Sequence, residues 1–141
     1  MTTSSVGWTR YLRAATAACA AMSLLLVVWP AAGTTAFALL VYQDTTYPEG
    51  FAGAVEYVRL THAVLGAVMI GWFVTLFRLA PLVARIPTIW VAMTTGLVVW
   101  FVSDTTYSVT SGFWENAVLN IIVAVLLARP LLALRPRAAR T

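Results

Sequence analysis

Glu56, Arg59 and His62 are the residues best placed to do chemistry together. At about 100° per residue on a helical wheel they share an arc of about 120° with Gly66. His62 is the one histidine of the chain. It sits six residues below Glu56, or ~9 Å deeper along a helix. Imidazole exchanges protons near neutral pH, and a carboxylate one or two turns away tunes that exchange. His62 and Glu56 are therefore candidate proton-transfer groups. Arg59 is a candidate for orienting a carboxylate, carbonyl or phosphate of a ligand, because guanidinium geometry suits such groups. The plainer reading of His62 is a hydrogen bond to a neighbouring helix. For Arg59 it is an ion pair with nearby carboxylates.

Asp44 and Asp104 extend the acid/base set, with Glu115 as a further binding group. Two carboxylates brought close share a proton, the usual arrangement for acid/base work. Glu56 and Glu115 also suit the first turn of a helix, where the macrodipole favours negative charge. Asp44 and Asp104 suit turns and caps. Asn116 and Asn120 are four residues apart and share one helical face, fit either to orient a polar group or to bond between helices. Tyr47, Tyr107, Trp100 and Trp114 are the aromatics nearest these groups, fit to hold a carbon skeleton or to form an interfacial belt. No Cys/His spacing suits a metal, and Cys19 has no second cysteine to pair with. No cofactor is expected.

The elements that position these residues are apolar helices. The chain is 61% hydrophobic and 10% charged, against about 25% charged for a soluble domain. Spans are expected at about 11–29, 54–79, 87–103 and 113–128, with stops at Pro30, Pro81 and Pro130. The reading is one integral membrane domain over 1–141, all-α, a four-transmembrane-helix bundle. Residues 30–43 are too short to span and too apolar for an open loop, so an interfacial or re-entrant segment is expected, with a part-buried connector as the alternative. Arg10 and Arg13 ahead of an apolar stretch also fit a leader, but the first stretch is read as a retained span.

Charge orients the spans. Arg10 and Arg13, then Arg78 and Arg85, then Arg129, Arg135, Arg137 and Arg140 fall on one side. The acidic residues Asp44, Glu49, Glu56, Asp104 and Glu115 fall on the other, where Arg59 is the one arginine. The positive-inside rule makes the arginine side cytoplasmic, with both termini inside a cell membrane. The arginines form no basic aromatic surface, so no nucleic-acid partner is expected.

The chain also carries a pattern of internal duplication. Leu26-Val27-Val28-Trp29 recurs as Leu97-Val98-Val99-Trp100, and Asp44-Thr45-Thr46-Tyr47 as Asp104-Thr105-Thr106-Tyr107. Glu56 follows Asp44 by twelve residues and Glu115 follows Asp104 by eleven. Two tandem helix-loop-helix repeats are expected; chance recurrence in a Thr-, Val- and Leu-rich chain is the alternative. Ala63, Ala67 and Gly71 form a small-residue stripe for packing within the bundle or at a homodimer interface.

The stretches Glu56-Tyr57-Val58-Arg59-Leu60-Thr61-His62 through Trp72 and Val99-Trp100-Phe101-Val102-Ser103-Asp104 through Asn120 resemble small four-span membrane proteins of high-GC bacteria, loosely DoxX-like. The resemblance implies a four-helix bundle and a bacterial origin, and carries no activity. Two functions are open. One is a membrane-embedded enzyme that isomerises, cyclises or hydrolyses an apolar or amphipathic small molecule by acid/base chemistry, using the residues above. The other is a non-catalytic membrane protein: a lipid or small-molecule binder, a transporter subunit, or a partner-binding subunit.

Overall fold

A computed structural model describes residues 3–32, 35, 39 and 52–136. Its order is α1 (Thr3–Val28), α2 (Ala52–Leu79), a 3-10 turn (Ala80–Leu82), α3 (Pro87–Thr110) and α4 (Trp114–Ala133). The fold is all-α, and its four helices are long and apolar enough to cross a membrane. The chain is a multi-pass membrane protein. Val28, Leu60, Val68 and Leu132 are each at least 60% exposed, a surface that needs lipid rather than water around it. Of segment 30–43, residues 30–32, Thr35 and Leu39 are described, and they are helical. Its interfacial or re-entrant character concerns mainly residues outside the described set.

The chain divides into two compact units, 1–17 with 75–141, and 18–74. In the first, segments of all four helices contribute to the core: Leu12, Ala15 and Thr16 from α1, Leu76 from α2, Met93 and Leu97 from α3, and Ala117, Leu127 and Leu131 from α4. Thr16 is fully buried, and its hydroxyl donates to the Leu12 carbonyl at 2.9 Å. That local bond removes the cost of placing a hydroxyl among apolar neighbours. Pro87 opens α3 behind an extended Ile86 (φ −119°, ψ 104°). Proline suits this place, because its missing N–H would have had no helical partner and its ring disfavours helix in the residue before it.

The α3–α4 turn is closed by backbone bonds: Ser111 N–H donates to Tyr107 O at 2.9 Å, and Phe113 N–H to Ser108 O at 2.7 Å. Gly112 takes φ +83°, a conformation glycine reaches without a Cβ clash. The other end of the hairpin is tied by Trp90, whose indole N–H donates to the Leu131 carbonyl at 2.7 Å. The Arg135 guanidinium lies 5.4 Å from the centre of that ring, and Arg13 lies 4.3 Å from the Phe77 ring.

Three helix ends depart from the sequence expectation. α1 begins at Thr3 rather than near Tyr11. α3 runs past Ser103 to Thr110, so Asp104-Thr105-Thr106-Tyr107 is helix rather than connection. α4 passes through Pro130 to Ala133. Ser108 and Thr110 donate to the Asp104 and Thr106 carbonyls four residues back, at 2.7 and 2.8 Å. These bonds let a polar segment remain helical. Pro130 removes one bond from the ladder, to Leu126, without ending the helix, a substitution that spans tolerate.

In the second unit α1 and α2 approach closely at Gly66. A Cβ placed there would lie 2.8 Å from Ser23 O, 2.8 Å from Leu26 Cβ and 3.1 Å from Val27 Cγ2. The close contact therefore falls one position off the expected stripe of Ala63, Ala67 and Gly71. Ala67 and Gly71 are exposed, and a Cβ at Gly71 would meet nothing within 4 Å.

Candidate functional site

At the carboxylate end of the first unit, α3 and α4 place four predicted site residues in hydrogen-bonding contact or near it. The Asn116 amide uses both protons, one to Ser108 Oγ at 2.8 Å and one to Asp104 Oδ1 at 3.1 Å. The hydroxyl proton of Ser108 goes to the Asp104 carbonyl at 2.7 Å, and its 3.3 Å approach to Asp104 Oδ1 is the weaker branch. One turn deeper, the buried Asn120 amide approaches Thr105 Oγ1 at 3.4 Å. Glu115 lies in the first turn of α4 and is half-buried, where the helix macrodipole favours it. Tyr107 and Trp114 flank this end and are 68% and 60% exposed. Trp100 is half-buried on α3.

Chemically this is a carboxylate oriented by neutral donors. The Asn116 amide holds Asp104 Oδ1 and bridges α4 to α3, so the bond that would aim a catalytic carboxylate also ties two helices. Asn116 and Asn120 bond across to α3, which their shared face predicted without naming the partner. Ser108 and Thr105 are not evident from sequence: their one signal is their place, one turn after Asp104 and directly beside it, and the polar run hides that they are helical.

In the second unit the structure brings Glu56 and Arg59 together. Arg59 Nη1 lies 2.6 Å from Glu56 Oε1, with the side chains 73% and 41% exposed for Glu56 and Arg59. Such an exposed i,i+3 pair contributes only about 0.3–0.5 kcal/mol. His62 is half-buried, and its ring is hydrogen-bonded to the backbone of Val58 one turn earlier. Asp44 and Tyr47 lie outside the described residues. Among the described residues no group of three or more His, Cys, Asp or Glu is arranged to hold a metal ion.

A second feature lies in the first unit, toward its arginine-rich end. Tyr11 of α1 and Ile121, Ile122, Val125, Leu126 and Arg129 of α4 line a groove of about 340 Å³. That is near the lower bound for small-molecule sites, ~300 Å³. Ile121, Val125 and Arg129 recur every four residues and Ile122 and Leu126 likewise, so one stripe of α4 forms the wall. The walls are largely hydrocarbon, and the lining residues with polar side-chain ends are Tyr11 and the exposed Arg129. In the sequence Arg129 carries only an orientation signal. The groove depends on which face of α4 meets α1, and no residue pattern records that. No family model, curated protein or solved structure matches the chain.

Proposed function

We propose that this chain is a non-catalytic membrane protein that binds an amphipathic molecule in the α1–α4 groove. The observation that carries the reading is where the chemistry is and where the space is. Glu56 and Arg59 pair with each other, His62 bonds Val58, and Asp104 bonds Asn116. The groove, in contrast, is apolar and is bordered by Tyr11 and Arg129, a composition that suits an amphiphile.

Mass spectrometry of molecules that co-purify with the protein tests this. A triple variant with Glu56→Gln, His62→Ala and Asp104→Asn should retain the same amphiphile as the wild type. Val125→Trp, which fills the groove, should lose it. The opposite pattern would move the function to the carboxylate end. There a second reading has support from Asp104, whose fixed Oδ1 is positioned as an acid/base catalyst of isomerisation, cyclisation or hydrolysis would be. On that reading Asp104→Asn abolishes turnover of an added amphiphile.

Both readings take the arginine-rich helix ends and the two termini as cytoplasmic, on the charge asymmetry. In a Cys19→Ser background, Ser111→Cys in the α3–α4 turn should react with an impermeant maleimide added to intact cells. Ala84→Cys, before α3, should react only after lysis. Equal labelling of both before lysis would reject this topology.

A further inference from the structure

The groove has a polar end of one sign. Arg129 is exposed and makes no ion pair with a described carboxylate. The described carboxylates of its unit are Asp104 and Glu115. Glu115 is fourteen residues away along α4, which at 1.5 Å per residue is ~21 Å. Asp104 bonds Asn116, one residue further along α4 from Glu115. The same unit carries Arg10, Arg13, Arg78, Arg85 and Arg135 toward the groove's end of the helices. Arg13 and Arg135 lie over aromatic rings. Arg129 instead borders the groove, with the Tyr11 phenol lining it too. An apolar groove ~12 Å long, from Ile121 to Arg129 at 1.5 Å per residue, thus runs along α4 and ends at Arg129.

We infer that the groove holds one anionic phospholipid of the leaflet at the arginine-rich side. Its acyl chain lies along Ile121, Ile122, Val125 and Leu126, and its phosphate meets Arg129. This rests on the amphiphile-binding reading above and gives the ligand its class. The charge selects it. A guanidinium with no counter-ion among the described residues favours an anion, and lipid phosphates stand at that depth. A second copy of the chain docked in the same orientation would bring more arginine to this end. Inorganic phosphate would leave the hydrocarbon walls uncovered.

Native mass spectrometry of the full chain in detergent tests the inference. The probes are dioleoyl phosphatidylglycerol, dioleoyl phosphatidylcholine and inorganic phosphate, with wild type, Arg129→Gln, Arg10→Gln and Val125→Trp. Wild type should retain one phosphatidylglycerol about tenfold better than phosphatidylcholine, the discrimination of one charge-assisted hydrogen bond. Arg129→Gln should bring that ratio to about twofold or less, Arg10→Gln should leave it near the wild-type value, and Val125→Trp should weaken both lipids. Excess phosphate should not displace the bound lipid. Equal retention of both lipids by wild type, an equal loss in Arg10→Gln and Arg129→Gln, or displacement by phosphate would overturn the anionic-lipid assignment alone. Retention of neither lipid by wild type would overturn the amphiphile-binding reading itself.

Discussion

Gly66→Leu is expected to unfold the packing of α1 against α2 within their shared unit. The first atom of any side chain at this position already collides. Its Cβ would stand 2.8 Å from both the Ser23 carbonyl and Leu26 Cβ. Neither obstacle can rotate aside, because one is backbone and the other is bonded to it. The helices must therefore move apart, and the close contact that small residues provide in membranes is lost. Overpacking of this kind costs about 1–3 kcal/mol for a small addition, so Gly66→Ala should lower the unfolding temperature in detergent measurably. Gly66→Leu should leave little folded protein by gel filtration. Gly71→Ala is the control, since a Cβ there would meet nothing within 4 Å. If Gly71→Ala were as damaging as Gly66→Ala, the close approach would not be what holds these helices.

Gly66 also shows how far the sequence could be read. A stripe of Ala63, Ala67 and Gly71 announces a small-residue face, but helical spacing gives a face and not a neighbour. The contact falls at Gly66, about 60° outside that arc on the helical wheel, because the crossing of α1 sets which residue is nearest. Spans were legible for a simpler reason: long apolar runs have one stable state in lipid, the helix. Their ends were not. Polar residues such as Asp104-Thr105-Thr106-Tyr107 and a proline at 130 look like loop signals from soluble proteins. In this chain Ser108 and Thr110 bond back to carbonyls four residues earlier and carry α3 onward.

The candidate site divides in the same way. Residues whose partners are close in sequence were placed correctly relative to one another: Glu56 and Arg59 do pair. Asp104 and Asn116 are each recognisable as site candidates but not as partners, because the bond between them crosses a turn that the polar run 104–107 masks in the sequence. The groove left no signature at all. Its wall is the ordinary aliphatic stripe of a membrane helix, and its arginine is ordinary for topology. Only their shared alignment against Tyr11 makes a site.

The second large effect is expected at Trp90, where α3 begins and α4 ends. Within α4 the Leu131 carbonyl would ordinarily receive the N–H of residue 135, but the Arg135 N–H turns to Leu132 O at 3.3 Å and the helix stops. The indole N–H of Trp90 supplies a donor at 2.7 Å instead. Leu131 is 4% exposed, so no water is at hand to replace that donor. Trp90→Phe keeps most of the ring and removes the N–H, and should cost about 1–3 kcal/mol for the unsatisfied carbonyl. Trp90→Ala also removes the ring, and large aromatic truncations cost about 3–5 kcal/mol. Arg135→Gln removes only the cation over the ring, about 0.5–1 kcal/mol at an exposed site. Unfolding temperatures should therefore fall in the order wild type, Arg135→Gln, Trp90→Phe, Trp90→Ala. A Trp90→Phe protein as stable as wild type would show that the indole bond does not hold the hairpin's open end. The same bond bears on the groove, because Val125, Leu126 and Arg129 immediately precede the turn of α4 that Trp90 anchors. Freeing that turn lets Arg129 drift from its place at the groove end. Trp90→Phe should accordingly weaken phosphatidylglycerol retention although it removes no atom that lines the groove.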